Sequence, residues 1–328
     1  MMKKHIARFV MIFSLILGAT FLFSSTTEAA DYDVTKIDAK GILYTRGASS
    51  ARINKDGQLL YYTYYDLNKN DILKKVTYDE NTTVVKKLFK RKSGCDYEVF
   101  KPVGDNKIWI VYQNYKNKSN YFVKYNDKGK VLTKIKLNIK DHLNFKIHDI
   151  MEDGNKIYCA LIDTLQTDKD YIEILCINKK KGKIVSKKRF SIQYHCQMKF
   201  ANDKIYAMNW NEITVYSLKG KQLATYQKPE GQTRKSEEHG VLDYTVKGNS
   251  IYYVNTLGLY KCDELGSKTF ELIYDASNDD LFTKAEGNYK TVNELCVKDD
   301  NEFYLIFNNQ AGYESYAPTA IARYKKKN

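Results

Sequence analysis

Asp56-Gly57-Gln58-Leu59-Leu60-Tyr61, Asp105-Asn106-Lys107-Ile108-Trp109, Gly154-Asn155-Lys156-Ile157-Tyr158, Asn202-Asp203-Lys204-Ile205-Tyr206, Gly248-Asn249-Ser250-Ile251-Tyr252 and Asp300-Asn301-Glu302-Phe303-Tyr304 are six versions of one phrase. In each, Asp, Asn or Gly makes a turn, an aliphatic or aromatic residue follows, and an aromatic comes next. With Leu60, Ile108, Ile157, Ile205, Ile251 and Phe303 as markers, the steps are 48, 49, 48, 46 and 52 residues. A fixed period of this size identifies a repeat architecture before any single element is assigned.

Each unit has the same internal plan. An alternating run such as Val123-Lys124-Tyr125-Asn126 or Leu175-Cys176-Ile177-Asn178 ends at a turn. In the middle units that turn is Lys128-Gly129-Lys130, Lys181-Gly182-Lys183 or Lys219-Gly220-Lys221, where Gly supplies the positive φ of a tight hairpin. A further strand follows, and another precedes each marker. Four antiparallel strands per unit, named a to d, repeated six times, predict an all-β, six-bladed β-propeller. The sixth unit stops after Tyr324 without a strand d, while Lys40-Gly41-Ile42-Leu43-Tyr44 is a spare strand at the start. Filling the vacancy with residues 40–44 closes the ring and protects the last edge. The six repeated aromatics, Tyr61, Trp109, Tyr158, Tyr206, Tyr252 and Tyr304, read as packing between blades.

The first unit, Asn54-Lys55-Asp56-Gly57-Gln58-Leu59-Leu60-Tyr61-Tyr62 with Asp71-Ile72-Leu73-Lys74-Lys75-Val76-Thr77-Tyr78-Asp79, resembles the repeat of the TolB-like six-bladed propellers. In that family a Pro-Asp-Gly turn precedes a strand, and an Ile-Tyr strand ends in Asp; here Lys55 replaces the Pro. The resemblance extends loosely over all six units. It implies the fold and binding or scaffolding roles outside the cytoplasm, and it brings no catalytic residue.

Residues 1–29 read as a signal peptide. Lys3, Lys4 and Arg8 precede the 15-residue apolar run Phe9 to Phe23, too short for a spanning helix, and Thr27 and Ala29 are the small residues of a cleavage site before Ala30. The expected product, residues 30–328, is a secreted, extracellular or wall-associated monomer without stable membrane insertion. It carries 50 Lys plus Arg against 38 Asp plus Glu. Lys outnumbers Arg 46 to 7 in the whole chain, which disfavours bidentate nucleic-acid readout. Diffuse attraction to an anionic wall polymer fits better.

Catalytic signatures are missing: there is no Gly-x-Ser-x-Gly, His-Glu-x-x-His, P-loop or Cys-x-x-Cys. No cofactor is expected. Asp66 to Thr77 lacks the Gly and Glu of a calcium loop and reads as a polar hairpin. His148 and His195 fall on inner strands, where a metal site would be possible, but no matching carboxylate pattern recurs at the same strand level, so no metal site is assigned. Cys159 on strand b and Cys176 on strand c oppose each other if their hairpin centres on Gln166–Thr167, which would permit a disulfide; Cys95, Cys196, Cys262 and Cys296 suggest no pairs.

In a propeller the d-to-a and b-to-c connections share one face, and the a-to-b and c-to-d turns share the other. The long connections, 228–239, 275–289 and 308–318, fall on the first face over units four to six. Long loops of a compact repeat protein are where function concentrates. Trp210 and Asn211 lie on that face with Asp279, Asp280, Glu286, Tyr289, Tyr313, Glu314 and Tyr316, and aromatic planes beside amides and carboxylates suit sugars or polar peptides. The leading expectation is a non-enzymatic binding protein for an extracellular glycan, wall polymer or protein. The alternative is a propeller-fold glycoside hydrolase or polysaccharide lyase, which needs two carboxylates about 5 to 10 Å apart.

Overall fold

The computed structural model describes residues 32–37, 49–63, 72–78, 83–90, 92, 94–137, 145–163, 170–192, 197–209, 211–229, 243–255, 257–266, 268–279, 281–282, 289–310 and 320–327. They form 24 strands in six four-stranded antiparallel sheets. The N-terminal strand is β1 (Tyr32–Ile37). Blade 1 comprises β2 (Ser49–Ile53), β3 (Leu59–Thr63), β4 (Ile72–Tyr78) and β5 (Thr83–Lys90). Blade 2 comprises β6 (Cys95–Pro102), β7 (Lys107–Asn114), β8 (Ser119–Asn126) and β9 (Val131–Leu137). Blade 3 comprises β10 (Phe145–Asp153), β11 (Lys156–Asp163), β12 (Asp170–Asn178) and β13 (Lys183–Ile192). Blade 4 comprises β14 (Gln197–Ala201), β15 (Lys204–Met208), β16 (Glu212–Ser217) and β17 (Gln222–Gln227). Blade 5 comprises β18 (Asp243–Lys247), β19 (Ser250–Asn255), β20 (Gly258–Asp263) and β21 (Glu271–Asp275). Blade 6 comprises β22 (Tyr289–Asp299), β23 (Glu302–Gln310), β24 (Ala320–Lys326) and, as its outer strand, β1.

The inner strand of each blade neighbours the inner strand of the next, and β22 returns to β2, so the sheets close a ring. Closure by an N-terminal strand is as expected, but the strand is Tyr32–Ile37, running from Tyr32↔Lys326 to Ile37↔Ile321. Residues 40–44 lie outside the described residues. Tyr32 selects the register: it is buried edge-on against Tyr274 and Phe303, with centroids 5.3 and 5.5 Å away, and its hydroxyl donates to the Asp300 carbonyl at 2.7 Å.

The core lies between blades. Alternate residues of each strand b face the preceding and the following blade, as a period of two requires. Ile108 packs toward blade 1 and Trp109 toward blade 3; Ile205 packs toward blade 3 and Tyr206 toward blade 5. In blade 1 it is Leu59 that packs back on blade 6, and Leu60 that faces blade 2. The hairpins agree, since Ile53↔Leu59 matches Pro102↔Ile108. The first marker is therefore Leu59, not Leu60, and Tyr61 faces backward, out of step with the other five aromatics.

The cysteine register is corrected in the same way. Cys159 stands opposite Leu175, and Cys176 opposite Tyr158. A slip of one residue puts the two thiols on opposite faces of the sheet. Both are buried reduced thiols, as are Cys95, Cys262 and Cys296 among the described residues. Among the described residues no helix is long and apolar enough to cross a membrane.

Candidate functional site

Around the central channel the inner strands carry a collar of charge. Counted back from the residue that pairs with the marker, the third position is Asp149 in blade 3, Asp243 in blade 5 and Glu294 in blade 6. A carboxylate pattern thus does recur at one strand level, contrary to the expectation from sequence. Blade 2 supplies Glu98 from the bulge between Tyr97 and Val99. The position one before the pairing residue is Arg52, Lys101 and Lys199 in blades 1, 2 and 4.

Each acid reaches across to the next blade. The Ile147 N–H donates to Glu98 at 3.0 Å, the Phe200 N–H to Asp149 at 2.8 Å, the Leu295 N–H to Asp243 at 2.8 Å, and the Ala51 N–H to Glu294. Lys101 and Lys199 complete the latches, donating to Asp149 and Asp243, each at 2.7 Å. Both Asp and Glu serve here, since either carboxylate can accept an inner-strand N–H of the following blade.

Glu294 differs from the others. Burial pushes its carboxyl up to about 8, and Asp243 adds to the rise, while Lys199, Lys101 and the Ala51 N–H oppose it. Stability from the neutral form is complete below the ordinary 4.5 and is lost as pH rises through about 8. A Glu294→Gln chain is therefore expected to lose less thermal stability than wild type between pH 7 and 9. Parallel melting curves over that range would count against the assignment.

A second ring of contacts involves the repeated aromatics. Trp109 Nε1 donates to Glu152 of the next blade at 2.9 Å, beside Lys124 and Lys179, each at 2.5 Å. Tyr252 donates to Asp300 at 2.7 Å beside Lys261 at 2.8 Å, and Tyr206 donates to Glu264 beside Lys204 at 2.7 Å. In blades 2, 4 and 5 the aromatic is both packing and hydrogen-bond donor to the next blade, a role the repeat alone did not disclose.

Of the loop-face candidates, three are described. Asn211 is exposed in the turn before β16, and Tyr289 opens β22 opposite Gln310. Asp279 is committed to the fold: its Oδ2 accepts the Tyr274 and Tyr324 hydroxyls at 2.9 and 2.8 Å, and its Oδ1 accepts the Leu281 N–H at 2.8 Å. Trp210, Asp280, Glu286, Tyr313, Glu314 and Tyr316 lie outside the described residues, as does His195. His148 occupies the bulge between Ile147 and Asp149. Among the described residues no group of three or more His, Cys, Asp and Glu is placed to hold a metal.

No family model and no curated protein matches the sequence. Solved structures do match in fold. One is a member of the DUF4221 family from Bacteroides vulgatus, 9% identical, with a TM-score of 0.53, covering 92% of this chain and 98% of that one. Another is a protein of unknown function from Dyadobacter fermentans, 11% identical, with a TM-score of 0.52, covering 92% and 100%. At such identity the likeness shows the fold alone.

Proposed function

We propose that this propeller is a non-enzymatic binding protein working outside the cytoplasm, with a glycan, wall polymer or protein as its partner. The observation that supports it is the commitment of the collar acids. Glu98, Asp149, Asp243 and Glu294 each hold a backbone N–H of the following blade. A hydrolase or lyase needs carboxylates at liberty to move protons or attack sugar. These instead brace the ring, and Asp279 is occupied by two buried phenols. The signal-like segment and the TolB-like phrasing of the repeats agree with a binding role outside the cytoplasm.

The binding face in this reading is the loop-rich one over blades 4 to 6. Trp210→Ala, Tyr313→Ala and Tyr316→Ala, made singly, are expected to change stability by only about 0.5 kcal/mol and to weaken retention of residues 30–328 on an isolated cell-wall fraction. Unchanged retention in all three would reject the loop face. Release of new reducing ends or unsaturated sugars from the fraction would favour the enzymatic alternative.

A further inference from the structure

Charge is shared unevenly around the ring. Residues 49–192, which hold blades 1 to 3, contain 30 Lys plus Arg against 17 Asp plus Glu; the rest of the chain from residue 30 onward contains 20 against 21. The whole positive excess therefore belongs to one half of the propeller.

The cations of that half form a belt on the outer rim, which runs on into blade 4. The c-to-d turns of blades 2, 3 and 4 each nest on the outer strand of the blade before. A β-carbon at Gly129 would lie 2.6 Å from the Leu88 carbonyl oxygen of β5, one at Gly182 3.6 Å from Ile135 of β9, and one at Gly220 2.9 Å from the Phe190 ring of β13. Outer strands and turns thus alternate without a break from blade 1 to blade 4. The segments concerned, 83–90, 126–137, 178–192 and 217–227, contain 16 Lys or Arg and a single acid, Asp127, which lies 3.8 Å from Lys86. The corresponding stretch of blade 5, 263–275, has one Lys and four acids.

The belt also has an apolar thread. Strand d of blades 2, 3 and 4 bulges at one repeat position, and the bulged residues are Leu132, Val185 and Leu223. They are 44%, 55% and 48% exposed. Lysines and bulges are devices for guarding sheet edges. Guarding alone does not require one sign of charge: strand d of blade 5 also bulges, at Ile273, in the stretch that holds four acids.

We propose that this belt is a docking surface for a flexible linear polyanion, separate from the loop face. Lysine is a mobile point charge suited to repeated carboxylate or phosphate groups, and it lacks the planar fork that reads bases. The belt follows a convex rim, so a flat membrane meets only part of it and a stiff duplex cannot bend around it. A chain that wraps the rim places its charges on the lysines and its carbon skeleton on the bulged aliphatics.

The test is titration of residues 30–328 with inorganic polyphosphate and with polygalacturonate, which separate phosphate from carboxylate as the preferred charge. Binding to polygalacturonate is expected, tighter than to polyphosphate, which has no carbon skeleton to lay on the bulged aliphatics, and it should fall steeply with salt. Lys136→Gln/Lys183→Gln/Lys188→Gln should weaken it roughly tenfold, the combined worth of three exposed ion contacts. Lys36→Gln/Lys268→Gln/Lys326→Gln removes the same charge from the other half and should cost roughly twofold or less. Trp210→Ala should leave polymer binding unchanged, so failure of the loop face and failure of the belt are distinguishable. Equal weakening by the two triple variants, loss on Trp210→Ala, no binding to either polymer, or tighter binding to anionic vesicles or duplex DNA would each overturn the belt.

Discussion

Glu152→Ala is expected to unfold about 3 kcal/mol more easily than wild type, because breaking a buried ion pair strands its partners. Three donors converge on this carboxylate from two blades: Trp109 and Lys124 from blade 2, and Lys179 from blade 3. Its side chain is only 13% exposed and that of Lys124 14%, so the pair lies well inside the surface regime. Burial opposes ionisation of Glu152, yet the hydrogen bonds from Lys124, Lys179 and Trp109 prevail and hold the carboxyl down at about 2. Its contribution is therefore present above the ordinary 4.5 and is lost as pH falls from there toward 2. Urea titrations at pH 7 and pH 3 check both parts. The variant should be less stable at pH 7, and the gap should narrow at pH 3. A difference below about 1 kcal/mol at pH 7 would show that water already compensates these donors.

The fold was legible in the sequence because the turn chemistry of each a-to-b hairpin is local. Asp, Asn and Gly bring two adjacent strands together whatever surrounds them, so six turns announce six blades. Register was harder. Leu59 and Leu60 are the same residue type, and nothing local says which faces blade 2; only packing on blade 6 decides it. The Cys159 and Cys176 pairing failed for the same reason, since its hairpin includes residues 164–169, where no turn signature fixes the centre. The closing strand was sought at residues 40–44 for its apolar run, whereas β1 exposes most of its side chains and is anchored by Tyr32 and Ile37. The collar was missed because its acids are two Asp and two Glu, in strands of different length with bulges between them. Aligning strands a backward from the hairpin, rather than forward from the loop, brings Asp149, Asp243 and Glu294 into one column.

The largest effect is expected from removing β1. Its six residues cover the edge of β24, which otherwise presents a row of unpaired backbone groups. Apolar burial in the strand is concentrated at its ends, because the four residues between Tyr32 and Ile37 are exposed. Tyr32→Ala alone should then cost about 3 kcal/mol, the low end for deleting a buried aromatic, since the ring touches Tyr274 and Phe303 and its hydroxyl caps the Asp300 carbonyl. A chain beginning at residue 38 should lose more than this, because the ring of blades opens between β24 and solvent. It should also associate with rising concentration, as an open strand edge pairs with another copy. Thermal melting and size-exclusion chromatography of chains beginning at residues 30 and 38 separate the two effects. A lower melting temperature without association would mean that the β24 edge is guarded by its own lysines, Lys325 and Lys326. An unchanged melting temperature would mean that the propeller does not depend on β1 for closure, and the pairing of Val34 with Tyr324 would then be incidental.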